Sequence, residues 1–179
     1  MTALSTTVRA LHLVTNAAWF GGSLAGAVAV NPAAQEGDTA REQSRIADRG
    51  WRSWGPVQGG AIALHLVSGM GILVDNRRRT RLHLPTTVAV VAKTALTGAA
   101  LAASAAAYRD GARLGQAREA SEEDLVARRQ AQELTRRMRW LQWATPATTG
   151  ALLVLDAYLG EQQRGVAGLL DPPMSLRRS

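Results

Sequence analysis

The chain contains no cysteine, which excludes disulfides, cysteine-ligated zinc and iron–sulfur clusters and leaves any metal or haem ligation to His12, His65, His83, Met or Lys. Catalytic signatures are missing too. There is no Gly-rich phosphate loop, no nucleophile elbow and no His-Glu-x-x-His pair, so an enzymatic role would have to rest on a bound cofactor. The basic runs carry no nucleic-acid signature either, because they are neither interleaved with aromatics nor borne on a recognition helix.

The most informative shortage is of charge, and it is local. At 179 residues, with a formal net charge of +7 and a mean hydropathy near zero, the chain has the averages of a soluble basic protein of one domain. The averages hide the distribution. Residues 10–35 and 53–74 contain no charge, residues 84–108 contain only Lys93, and residues 140–160 contain only Asp156. At about 1.5 Å per residue each run can cross a hydrocarbon core about 30 Å thick. The third run is apolar or small on every face, as in Ala99, Ala100, Leu101, Ala102 and Ala103, so it has no side to show to water. The pattern predicts an all-α integral membrane four-helix bundle of antiparallel transmembrane helices. The first run follows a short N-terminus with Arg9 and is about twice as long as a secretory signal core, which favours a retained span.

What is present within the spans fits lipid. Gly22 and Gly26 form a small-x-x-x-small pair, as do Gly98 and Ala102, predicting close helix approach in a tight bundle or a homo-oligomer. Trp51, Trp54, Trp140 and Trp143 fall where spans two and four meet their preceding loops, marking one membrane face with amphipathic rings. The connections 36–52 and 109–139 mix charges, and Ser121 to Asp124 before Leu125 and Val126 reads as a capped helix start that can run into span four. The 75–83 link carries four arginines and predicts a tight cationic hairpin. A flexible tail is expected from Glu161, with Pro172 and Pro173 blocking further helix.

The basic residues outside the spans number 8 on the side of the termini and 12 on the other. The arginines of the longer loops alternate with acids in the pattern of extended helices, so the unopposed hairpin tip is given more weight and the termini are expected on the cytoplasmic side of the cell membrane.

Counting inward from the termini side, helical rise alone puts His12, His65, Lys93 and Asp156 at depths of roughly 3, 14, 14 and 6 Å. All fall in one half of the bilayer. A Lys or Asp near mid-bilayer costs on the order of 3 kcal/mol on insertion scales, so these groups should face inward and meet partners. His12, Asn16, Trp19 and Ser23 follow a 4, 3, 4 spacing, as do Lys93, Thr97, Ala100 and Ser104, and Thr145, Thr149, Leu152 and Asp156. Each is one helical stripe. The predicted pocket thus comprises His12, His65 and Lys93, with Asn16, Trp19 and Asp156 around them.

Two kinds of reading follow. In one, Lys93 pairs with Asp156 or snorkels, and the histidines hydrogen-bond neighbouring helices as packing glue. In the other the cluster works, either as a haem or redox site with imidazole ligands or as a proton relay through Asp156 and His12. A non-catalytic scaffold binding a partner membrane protein through residues 109–139 is the remaining alternative.

The run Ala10-Leu11-His12-Leu13-Val14, followed by Ala18-Trp19-Phe20 and Gly22, resembles the first span of the HemJ-type protoporphyrinogen oxidase family and of the CopD-like membrane domains of copper resistance. Lys93, within Val91-Ala92-Lys93-Thr94-Ala95-Leu96, sits where those families place a third-span lysine. The HemJ-type resemblance implies that His12 and Lys93 help to bind haem b and support protoporphyrinogen oxidation. The CopD-like resemblance implies copper handling, for which the spans offer only Met70 and no paired Met or His motif; no resident metal is expected.

Overall fold

Runs rich in alanine and leucine favour helix, and every described element is helical. The computed structural model describes residues 3–75, 84–121 and 124–170, and no strand occurs among them. Helix α1 (Ala3–Ala25) continues through a π-helical stretch, Gly26–Val30, into the short α2 (Asn31–Gln35), forming one rod. Then come α3 (Ala40–Asp75), α4 (Leu84–Ala120) and α5 (Leu125–Leu170). Four rods pack as a bundle: α5 lies along α4 and α1, α3 lies along α1, and α3 meets α4 more lightly.

The burial pattern is inverted relative to a protein in water. Val14, Val67, Met70, Val88, Val91 and Val154 point outward, each more than 60% exposed, while His12, Asn16, His65, Ser68, Thr145 and Thr149 are buried. Only a hydrocarbon solvent makes that arrangement favourable, since apolar area buried from water contributes roughly 25 cal/mol per Å². Three stretches, Thr6–Gln35, Ala40–Val74 and Thr87–Ala120, are long and apolar enough to cross a membrane. The protein is a membrane protein. Helix α5 does not reach that apolarity because Gln142, its threonines and Asp156 dilute it, yet Thr145, Thr149 and Leu152 are buried within the bundle.

The helices outrun the predicted spans. Residues 40–52 and 109–120 are helical extensions of α3 and α4, and residues 125–139 form one uninterrupted helix with the fourth span, as the capped start at 121–124 predicts. Asp124 caps that helix, its carboxylate accepting from the Val126 N–H at 2.7 Å. Beyond Glu161 helix also continues, to Leu170, where a flexible tail was the expectation. Pro172, Pro173 and the hairpin tip 76–83, with His83, lie outside the described residues.

Several acids and arginines of the extensions pair. Asp110, fully buried, meets Arg109 of its own helix and Arg137 of α5, both at 3.2 Å. Glu42 with Arg45, Asp48 with Arg52 and Glu133 with Arg136 are exposed pairs along single helices.

The π-helical stretch has a local cause. Pro32 has no N–H to hold the preceding turn in α geometry, and the Asn31 N–H reaches back five residues to the Gly26 carbonyl. The extra residue aims Asn31 into the bundle, where its side chain accepts from Trp51 Nε1 (3.2 Å) and donates to Gln142 Oε1 (3.0 Å). Three rods are tied by one amide.

Gly22 and Gly26 do bring helices together, but through indoles rather than backbone. A Cβ on Gly22 would overlap Trp54, and one on Gly26 would overlap Trp51. Trp51 and Trp54 are therefore knobs in glycine holes as well as interfacial rings, whereas Trp140 is 82% exposed.

Candidate functional site

The stripe on α1 is set by the helical repeat: His12, Asn16, Trp19 and Ser23 are all buried. The α5 stripe turns in likewise, and on α4 Ala100 is fully buried. Where the three faces meet α3, four ionisable side chains come together.

Lys93 is the junction. Its ammonium lies 2.8 Å from His12 Nε2 and is ion-paired with Asp156. His12 Nδ1 lies 3.0 Å from the His65 carbonyl and 3.1 Å from Ser68 Oγ. His65 Nδ1 lies 3.2 Å from the His12 carbonyl. A carbonyl can only accept, so each ring carries its proton on Nδ1, and His12 Nε2 is left to accept from Lys93. The two rings stack, with centroids 3.9 Å apart and planes inclined by 15°. Trp19 stands edge-on to His65 at 5.9 Å and donates from Nε1 to Ser104 Oγ at 3.1 Å. Trp19, Ala100 and Leu152, all fully buried, close the centre from below.

Depth counted from the last charge separates His12 from His65 by roughly 11 Å; the stacked rings put them at one level. The discrepancy arises at Arg9. Helix α1 begins at Ala3, so Arg9 lies inside it, and a long basic side chain can reach the interface from below it. The last charge of a span is thus no depth marker.

All six residues of the predicted pocket belong to this centre or its next turn. Ser68 and Ser104, which receive bonds from His12 and Trp19, were not anticipated. Ser68 had a signal, three residues after His65 and so on the same face; Ser104 was read as part of a stripe but not as a partner.

Two features exceed packing. Asn16 is fully buried with neither amide atom hydrogen-bonded, and Asp156 Oδ2 is buried without a hydrogen-bond partner. In a membrane interior such groups cost several kcal/mol each. The packing features are present as well: Lys93 pairs with Asp156, and each histidine bonds the opposite backbone.

The residues as arranged do not fit a haem ligated by both histidines. Stacked imidazoles leave no room between them for a macrocycle, and His12 Nε2 is engaged by Lys93. Among the described residues no group of three or more His, Asp or Glu is placed to hold a metal ion, and Met70 faces outward.

Fold and site together define a class: an all-α membrane bundle with a buried, hydrogen-bonded cluster of histidine, lysine and aspartate. No protein-family model matches the chain, and neither the curated proteins nor the solved structures yield a match.

Proposed function

We propose that the protein is a multi-pass protein of the cell membrane, its termini cytoplasmic, whose His12–Lys93–Asp156 cluster exchanges protons in a transport or coupling role. The observation that carries this reading is the position of Lys93, bonded at once to a histidine and a carboxylate in the bundle interior. Such a line can pass a proton between its ends without net movement of side chains. Packing alone gives no reason for it, since a buried ion pair is often no more stabilising than apolar residues of the same volume. The unpaired Asn16 amide and Asp156 Oδ2 support access by water. The four arginines of the short 75–83 link, immediately beside the membrane, support the cytoplasmic placement of the termini.

Vesicles loaded with a pH-sensitive dye test the reading. After an external acid step, wild-type protein should speed internal acidification over protein-free vesicles, and Asp156→Asn should abolish the difference. An unchanged rate in that variant removes the proposal.

A haem-linked role is the second reading, in the form of contact with one histidine. It is favoured by the direct contact of His12 with Lys93, the two residues that the HemJ-type resemblance assigns to haem, and it requires Lys93 to leave His12. A visible spectrum after haem supplementation tests it; absence of a Soret band removes it. The CopD-like alternative has less support, for the reasons of ligand type given above.

A further inference from the structure

The face of the bundle opposite the termini carries a second site, distant from the buried cluster. The start of α3, the end of α4 and the first half of α5 enclose an open cavity of about 800 Å³. Four arginines line it, Arg118 from α4 and Arg128, Arg136 and Arg139 from α5, with Gln43 and Ser121 among its other polar residues. No acidic side chain lines it among the described residues.

Elsewhere on these extensions Arg45, Arg52, Arg109 and Arg137 meet acids, whereas the cavity gathers four arginines against no acidic lining among the described residues. Arg118 and Arg139 have no acidic partner among the described residues, and Arg118 is half-buried. Arg128 spends its guanidinium on the Ser121 carbonyl, at 3.2 and 3.3 Å, closing the end of α4. Arg136 meets Glu133 at 3.5 Å in an exposed pair along one helix, an interaction weak enough to give way to a better anion.

We infer that this cavity binds a phosphate-bearing anion. Guanidinium forks match the geometry of phosphate oxygens and bind them bidentately, and several converging on one site hold the phosphate from more than one side. The volume is in the range of small-molecule sites. Arg139 adjoins the interfacial Trp140, while Arg128 lies eleven residues earlier, roughly 16 Å further along the helix. The cavity therefore runs from the headgroup layer out into water, where both a phospholipid headgroup and a free phosphorylated compound can enter. The chemistry recognised is the same.

The test uses the full-length protein in an uncharged detergent and, separately, in nanodiscs of phosphatidylcholine with or without phosphatidylglycerol. Inorganic tripolyphosphate is the soluble probe, followed by calorimetry, and phosphatidylglycerol is the lipid probe, followed by the shift in melting temperature. The expected result is binding of at least one probe that falls tenfold or more in Arg136→Gln/Arg139→Gln and less than twofold in Arg113→Gln/Arg129→Gln, which removes equal charge from α4 and α5 outside the cavity. Tripolyphosphate binding assigns the site to a soluble ligand, and a response to phosphatidylglycerol alone assigns it to lipid. The inference is overturned if neither probe acts, or if both double variants weaken the response alike.

Discussion

His12 and His65 lock α1 to α3 reciprocally: each imidazole donates from Nδ1 to the backbone carbonyl of the other histidine, at 3.0 and 3.2 Å, while the rings stack face to face. The arrangement fixes both tautomers and turns His12 Nε2 toward Lys93. Interhelical bonds of this kind contribute about 0.6–2 kcal/mol each in membranes. Replacing His65 by Leu removes the ring stack and the bond to the His12 carbonyl but keeps the residue-65 carbonyl that accepts from His12, so it should lower stability by about 1–2 kcal/mol, measured by reversible unfolding in mixed micelles. No loss of stability would contradict the lock.

Lys93 and Asp156 should behave as a unit. Removing one charge leaves the other uncompensated in the bundle interior, at a cost of about 3–5 kcal/mol. Lys93→Met and Asp156→Leu should each be strongly destabilising, and the double variant should be more stable than either. Additive losses in this double-mutant cycle would show the pair to be uncoupled.

The tryptophan knobs give a steric prediction. Gly22→Leu drives a side chain into the Trp54 indole and should cost about 1–3 kcal/mol, with Trp54→Ala restoring part of the loss. Gly21→Ala is the control, since a Cβ there meets nothing within 4 Å, and it should unfold as wild type does.

Asn16 separates stability from activity. An amide with no partner in a buried site is costly, so Asn16→Leu should leave stability unchanged or raise it by about 1 kcal/mol, while slowing proton movement in vesicles. A variant that unfolds early and conducts normally would contradict the role given to Asn16.

Much of the site was legible because the helical repeat is rigid. Once residues 10–35 are a helix, His12, Asn16, Trp19 and Ser23 must share a face, and the polar members of that face must turn away from lipid. Depth was less legible, since Arg9 can sit within a span and still reach the interface. The helix through 125–139 was legible from its capped start at 121–124 and from acids alternating with arginines; what spacing within one helix does not contain is which partners meet across helices, such as Asp110 with Arg137. The indole contacts of Gly22 and Gly26 depend on the tertiary register of α3 against α1, which spacing within either helix does not contain.

The proton exchange proposed for the His12–Lys93–Asp156 cluster requires a carboxyl group that changes its charge inside the bundle. The infrared difference spectrum of the reconstituted protein between neutral and acidic pH measures this directly. A protonated-carboxyl component that appears on acidification in the wild type and is absent from the Asp156→Asn spectrum, beside the unchanged components of the other acids, is the predicted result. A spectrum without that component, or one in which Asp156→Asn leaves it unaltered, would contradict the account.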